Sequence, residues 1–125
     1  MALADRLIEQ FDRALRTLAS VPRAQSENPA AGLPEEELTP QEASHAAGLM
    51  RVNHTGEICA QALYEGQALT AQDERTRAAL LEAAAEEADH LAWCTQRLEQ
   101  LESKPSVLNP GFYAASFAMG AFTGL

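Results

Sequence analysis

The stretch LLEAAAEEADHLAWCTQRLEQL, residues 80–101, determines the predicted fold of this 125-residue chain. Within it, six mostly apolar side chains and one glutamate recur at alternating intervals of four and three residues. Such spacing is typical of the line along which a helix contacts its neighbours in a left-handed bundle. The sequence therefore predicts a helix over about 74–103 that presents a carboxylate, Glu87, to its neighbours. A carboxylate in that position needs a compensating partner. The contact line consists of Leu80, Ala84, Glu87, Leu91, Cys94, Leu98 and Leu101.

A second long helix is predicted immediately before this one. Thr39-Pro40-Gln41-Glu42 has the form of a capping box with a proline in the first turn, and no proline follows before Pro105. A turn at about 70–73, with Asp73 as the N-cap, divides the span into helices 41–71 and 74–103. Because the connection is short, the two helices are expected to be antiparallel neighbours. The matching line on the earlier helix is polar in its middle and consists of Met50, His54, Glu57, Gln61, Tyr64 and Ala68.

Glu87 and His90 form a Glu-x-x-His motif, and side chains three apart on a helix face the same way. Glu57 lies 15 residues before residue 72 and Glu87 lies 15 residues after it, so both carboxylates are expected at the same depth in the hairpin. A lone glutamate on one helix and Glu-x-x-His on the next is half of the ligand set of ferritin-like di-iron proteins. The residues therefore favour a metal site formed by Glu57, Glu87 and His90. The alternative is a carboxylate–histidine pair in the core without metal.

Other polar groups compete with this assignment. Glu86 lies four residues before His90 but off the contact line. His54, one turn before Glu57, is expected to form a hydrogen bond to a carboxylate rather than to bind metal. The remaining candidates are expected to have no ligand role: His45 is expected to be solvated, and Cys59 and Cys94 to be buried small side chains. Tyr64 is expected to be a packing side chain, and the alternative is that it borders the site.

The beginning of the chain divides into two segments. Residues 1–20 are predicted to form an amphipathic helix, because Leu7, Phe11, Ala14, Leu15 and Leu18 recur at helical spacing. Its apolar side is expected to pack on the rest of the protein, and the alternative is a helix lying on a membrane surface. Residues 21–38 contain three prolines and a run of three glutamates, which predicts a solvated linker.

The last 21 residues, 105–125, carry no charged side chain. Asn109-Pro110 predicts a helix start, and the helical part after it is too short for a full transmembrane span. Ser116, Gly120 and Gly124 lie four residues apart, a spacing that lets helices approach closely. Two interpretations stay open, a buried bundle helix or a helix with one side against lipid.

Composition excludes several classes of protein. The formal net charge of −9 makes nucleic acid an improbable partner, since an acidic surface repels phosphates. Acidic residues among the first 20 argue against a secretory signal and against a mitochondrial transit peptide. Two cysteines in helix-like runs favour a reducing compartment over a disulfide framework.

Two motifs together resemble those of the demethoxyubiquinone hydroxylases of ubiquinone biosynthesis. The run RVNHTGEICAQALY, residues 51–64, resembles the first metal-ligand helix of that family, and EEADHLAWC, residues 86–94, resembles the second. Ser-Val-Leu-Asn-Pro at 106–110 and the apolar residues after it are also similar to the family. The resemblance covers about residues 39–125.

The resemblance implies an all-α, ferritin-like antiparallel bundle around a carboxylate-bridged centre of two irons. It implies hydroxylation of a polyprenylated demethoxyquinol with O2, using a reductant that it does not specify. It also implies an enzyme held peripherally at the cytoplasmic face of a bacterial cell membrane, with homo-oligomers possible. By resemblance, Glu57, Glu87 and His90 are the ligands in this chain, with Glu87 as the bridge.

The family's second glutamate and second Glu-x-x-His have no counterpart after residue 90. Residues 39–125 are therefore expected to form the N-terminal half of a di-iron bundle that is incomplete in this chain. The rival hypothesis is a half-ferritin that binds or oxidises iron and completes its site across a homodimer. A third possibility is a metal-free helical hairpin that acts as an interaction module.

Overall fold

The structure, a computed structural model, describes residues 2–19 and 23–125. It contains four helices in this part of the chain: α1 (Leu3–Ala19), α2 (Pro40–Thr70), α3 (Glu74–Gln100) and α4 (Asn109–Thr123). No strand occurs among the described residues, so the predicted all-α class is confirmed.

The start of each long helix follows from its cap. Thr39 accepts a hydrogen bond from the Glu42 N–H at 3.2 Å, and Glu42 accepts one from the Thr39 N–H at 2.8 Å. Asp73 accepts from the Thr76 N–H at 2.8 Å. These contacts satisfy amide groups that the helix itself leaves without partners. The predicted capping box and N-cap are both confirmed.

Helix α2 lies between α3 and α4. Helix α3 runs antiparallel to α2: Ala71–Asp73 connects them at one end, and at the other Arg51 donates to the Lys104 carbonyl at 2.9 Å. Helix α4 runs parallel to α2, because Thr55 bonds to Asn109 near its start and Thr70 bonds to the Ala121 carbonyl near its end.

Glycines bring α2 and α4 into backbone contact. A Cβ atom built on Gly120 would lie 2.2 Å from the Leu63 carbonyl oxygen, and one built on Gly66 would lie 2.2 Å from the Phe117 carbonyl oxygen. A Cβ on Gly124 would lie 2.6 Å from the Gln67 carbonyl oxygen. The predicted close approach is thus confirmed at Gly120 and Gly124.

The core lies where α2 meets its neighbours. It consists of Ile58, Ala62, Leu91 and Tyr113, with Phe117, Ala14 and Leu18 packed against it. The predicted contact line of α2 is correct at His54, Gln61 and Ala68, which are buried, but it misses Ile58 and Ala62. A single line omits them because α2 is covered on two sides, by α3 and by α4.

The expectation that α1 packs through its apolar stripe is wrong for most of that stripe. Leu7, Phe11 and Leu15 are 50%, 66% and 49% exposed, whereas Gln10 and Thr17 are buried. Helix α1 turns its polar side inward because the surface beneath it is polar, as Gln10 bonds to Glu65 and Thr17 bonds to Gln61.

The predicted linker is exposed along most of its described length, and the structure adds contacts that the sequence did not predict. Residues 23–38 have no helix or strand and are mostly exposed, and contacts with side chains of α3 hold them along that helix. The Gln25 N–H donates to Asp89 at 2.7 Å, and Glu35 forms an ion pair with Arg97. Pro22, which contributed to the linker prediction, lies outside the described residues.

Helix α4 is buried on one side only. It packs on α2, while Met119 and Phe122 on its other side are 63% and 77% exposed. In the described part of the chain, no helix has both the length and the apolar character needed to cross a membrane.

Candidate metal centre

Glu57, Glu87 and His90 lie together between α2 and α3. One potential ligand atom from each residue lies within 4.8 Å of the other two. His90 Nδ1 is 3.2 Å from Glu87 Oε2 and 3.6 Å from Glu57 Oε2. The antiparallel pairing of the helices positions Glu57, and the Glu-x-x-His spacing places Glu87 beside His90 on one side of α3. The predicted juxtaposition of the three residues is therefore present in the structure.

Glu87 affects the protonation of Glu57. Burial, a hydrogen bond with Glu87 and repulsion from Glu87 raise the pKa of Glu57 from 4.5 to about 7, and His90 opposes this shift. A bound cation would relieve the repulsion between the carboxylates. The ligand set consists of two carboxylate oxygens and one imidazole nitrogen, donors that iron binds. Zinc–thiolate sites and iron–sulfur clusters would instead use cysteine thiolates. The residues present therefore fit a metal ion.

Comparison with known proteins identifies the family. The family model described as ubiquinone biosynthesis protein COQ7 matches residues 44–125. The chain belongs to this family.

Relatives of the family resemble the chain along almost its whole length. It is 58% identical over 127 residues to the 3-demethoxyubiquinol 3-hydroxylase of Chromohalobacter salexigens, covering 99% of this chain and 59% of the relative. It is 56% identical over 121 residues to the 3-demethoxyubiquinol 3-hydroxylase of Xanthomonas oryzae pv. oryzae, covering 97% of this chain and 56% of the relative. The chain thus spans somewhat more than half the length of these relatives. No solved structure matches it.

In this member of the COQ7 family, the cluster found among the described residues does not include the competing Glu86, His45 or either cysteine. Glu86 and His45 are exposed, and Tyr64 is half-buried. Cys59 and Cys94 are half-buried free thiols rather than the fully buried side chains that were expected. Burial and the nearby charge of Glu57 raise the pKa of Cys94, which keeps the thiol protonated.

The expectation that His54 bonds to a carboxylate is wrong. His54 is buried, and its Nδ1 lies 3.3 Å from the amide nitrogen of Asn109 at the start of α4. The side-chain oxygen Oδ1 of Asn109 accepts a hydrogen bond from the Thr55 hydroxyl at 2.8 Å. His54 therefore helps to attach α4 to α2, and burial lowers its pKa.

Sequence reasoning missed a buried carboxylate outside the metal site, Glu65. It is 3% exposed and accepts hydrogen bonds from Gln10 at 3.1 Å and from the hydroxyl of Tyr113. Gln61 donates to it at 3.4 Å. The sequence signal was weak, because Glu65 lies off the predicted contact line and its main partners are distant along the chain.

A cavity of about 850 Å³ lies beside the metal-site residues. Glu57 and His90 line one part of it, and Met50, Trp93 and Cys94 continue the same wall along α2 and α3. Residues 30–36 and Leu38 line the cavity as well. The carboxylate and imidazole groups thus face a space large enough for a small organic molecule.

Proposed function

We propose that the complete protein hydroxylates the ring of a polyprenylated demethoxyquinol with O2, and that Glu57, Glu87 and His90 are iron ligands. The observation that carries this proposal is the Glu57–Glu87–His90 cluster in a member of the COQ7 family. The similar bacterial proteins are named for the hydroxylation of 3-demethoxyubiquinol.

The chain's own residues supply charge and orientation. Glu57 and Glu87 would neutralise the charge of the cations, with Glu87 bridging two of them, and the contact between His90 and Glu87 orients the imidazole. Iron, when bound, would supply the activation of O2. Since two irons need more ligands than two carboxylates and one imidazole, this proposal requires further ligands besides these three residues.

An apolar substrate tail favours an enzyme held at the membrane surface, here at the cytoplasmic face of a bacterial cell. The exposed apolar side chains of α1 and α4 support this part of the proposal. They include Leu3, Leu7, Ile8 and Phe11 on α1 and Met119, Phe122 and Leu125 on or after α4.

The ligand assignment is tested by iron content. In the full-length protein, Glu87→Gln and His90→Ala are expected to abolish iron binding, measured by elemental analysis after purification. Glu86→Gln is the matched control, because it removes the neighbouring carboxylate, which is exposed and outside the cluster. His45→Ala is the control for the imidazole. Retention of two irons by Glu87→Gln would refute the assignment.

The reaction is tested separately with a short-tailed demethoxyquinol, O2 and a chemical reductant. Iron-loaded protein is expected to form the hydroxylated quinol, detected by mass spectrometry with incorporation of one atom from 18O2. Iron-loaded protein that oxidises Fe(II) without hydroxylating the quinol would instead support the half-ferritin hypothesis.

A further inference from the structure

Residues 30–36, which we term the linker wall, line the same cavity as the metal-site residues Glu57 and His90. All seven line the cavity, and Glu57, His90 and Trp93 line it from the helices. This part of the chain precedes the residues matched by the family model, which begin at residue 44. The metal-site cavity is therefore enclosed partly by a segment outside the matched region.

Specific contacts hold residues 26–35, which include most of the linker wall, on α3. The Trp93 indole N–H donates to the Ser26 carbonyl at 3.4 Å, and the Asn28 side-chain amide donates to Gln96 at 3.3 Å. At the far end of the segment, Glu35 forms its ion pair with Arg97. The contacted residues of α3 lie within two turns on one side of the helix, so the segment follows the helix rather than crossing it once.

The lining of the cavity combines polar and apolar side chains. Glu57 and His90 are polar, whereas Leu33 and Pro34 of the linker wall and Met50 of α2 are apolar. Leu33 is 68% exposed, although an apolar side chain in a loop gains nothing from exposure to water. An amphiphile with a polar ring and an apolar tail would cover this side chain while its ring lay toward Glu57 and His90.

The lining also offers an aromatic surface beside His90. The indole ring of Trp93 is 5.4 Å from the imidazole of His90, measured between ring centroids. The indole is fixed by its hydrogen bond to Ser26, in the same segment that leads into the linker wall. A substrate ring adjacent to His90 would therefore also be adjacent to Trp93.

We propose that the linker wall is part of the substrate-binding site, with Leu33 contacting the quinol and the Glu35–Arg97 ion pair holding the wall in place. This inference rests on the proposed function and adds to it a set of residues that determine substrate affinity. Trp93 and Arg97 are positioning residues in this arrangement, because they anchor the segment to α3.

The first test measures KM and kcat of the full-length, iron-loaded protein with a short-tailed demethoxyquinol. Leu33→Asp is expected to raise KM about tenfold with kcat changed less than twofold, since a charge would replace an apolar contact to the substrate. Val52→Asp is the matched control, because Val52 is 72% exposed on α2 and does not line the cavity. Its KM and its iron content are expected to equal those of the unmodified protein.

The second test addresses the ion pair. Glu35→Gln is expected to raise KM about threefold, the scale of an exposed ion pair, and to speed cleavage of residues 30–36 by thermolysin. Glu37→Gln removes a carboxylate just beyond the linker wall and is expected to change neither. Exchange of the two charges, Glu35→Arg with Arg97→Glu, is expected to restore both measurements.

The outcomes separate this inference from the proposed function. Turnover by the unmodified protein combined with an unchanged KM in Leu33→Asp would overturn the inference alone. If the iron-loaded protein does not hydroxylate the quinol, the proposed function fails. Binding of a short-tailed quinone is then measured by the quenching of Trp93 fluorescence. The Trp93→Phe variant shows how much of the fluorescence signal comes from Trp93. Quenching weakened by Leu33→Asp but not by Val52→Asp would still support the linker wall, and quenching equal in both variants would overturn it.

Discussion

His54 shows how burial couples protonation to folding at the scale of one residue. Its side chain is 5% exposed, and its Nδ1 contacts the amide of Asn109. Burial lowers its pKa from the ordinary value of 6.5, so the folded protein keeps the imidazole neutral at a pH where the unfolded chain takes up a proton. The free energy of unfolding must then decrease as the pH falls below about 6.5.

We predict that His54→Gln flattens this pH dependence. One proton bound only by the unfolded chain changes the free energy of unfolding by at most about 1.4 kcal/mol per pH unit, and the variant should lose up to this slope. The measurement is urea denaturation of metal-free protein at several values between pH 5 and pH 7.

His45→Gln is the control for this experiment, because it removes an imidazole that is exposed near the start of α2. The pH dependence of this variant should match that of the unmodified protein. Equal slopes in His54→Gln and the unmodified protein would show that His54 is protonated to the same extent in the folded and unfolded states.

At the scale of elements, the pairing of α2 with α4 depends on glycines, which have no Cβ atom. Gly66 and Gly120 leave room for the backbone of the opposite helix, and no rotamer change could make space for a Cβ there because the atoms in the way are backbone atoms. The same close approach brings Thr70 within 2.8 Å of the Ala121 carbonyl. The glycines therefore set the distance between the two helices.

We predict that Gly120→Ala lowers the free energy of unfolding by about 2 kcal/mol or more, because overpacking forces the helices apart. Gly48→Ala is the matched control on α2, since nothing lies within 4 Å of a Cβ at that position. It should raise the free energy of unfolding by about 0.5–1 kcal/mol, the usual gain from replacing a glycine in a helix. Chemical denaturation measures both, and a neutral Gly120→Ala would contradict the backbone contact.

Helix α1 illustrates how a buried polar group can outweigh an amphipathic pattern. Glu65 is nearly inaccessible to water, and a buried carboxylate without hydrogen bonds is costly. Gln10 satisfies part of this requirement by donating to Glu65, and it donates to Tyr113 at 2.8 Å as well. Because Gln10 lies on the polar side of α1, that side faces inward, whereas Leu3, Leu7 and Leu15 are exposed.

At the scale of the whole molecule, an acidic surface coexists with exposed apolar side chains. The formal net charge is −9, yet α1 and α4 present large apolar residues outward, including Ile8 at 68% and Phe122 at 77% exposure. Repulsion from anionic lipid opposes membrane binding, whereas burial of these side chains in the lipid interface favours it. Association with a membrane would therefore depend on apolar contacts rather than on charge.

We predict that the full-length protein binds liposomes of phosphatidylethanolamine and phosphatidylglycerol, and that binding does not weaken between 50 mM and 500 mM salt. Screening reduces only the repulsion between protein and lipid. Ile8→Ser with Phe11→Ser should reduce the bound fraction in a flotation assay. The matched control, Asp12→Ser, changes an exposed polar residue of the same helix. Loss of binding at high salt would instead indicate an electrostatic attachment.

The sequence by itself determined the helices and the candidate metal site, because their signals are local. The cap contacts of Thr39 and Asp73 join residues three apart, and the Glu-x-x-His spacing is three as well. A short turn was then enough to place Glu57 opposite Glu87. These features need only the geometry of a helix and the direction of its neighbour.

Only the tertiary structure decided which side of α1 is buried and where residues 23–38 lie. The contact between Gln10 and Glu65 spans 55 residues, and the one between Gln10 and Tyr113 spans 103. Apolar periodicity indicates that one side of a helix avoids water, but it gives no information about a polar surface elsewhere in the protein that must be covered. The burial of Glu65 creates such a surface, and the hydrogen bonds it needs determine how α1 docks.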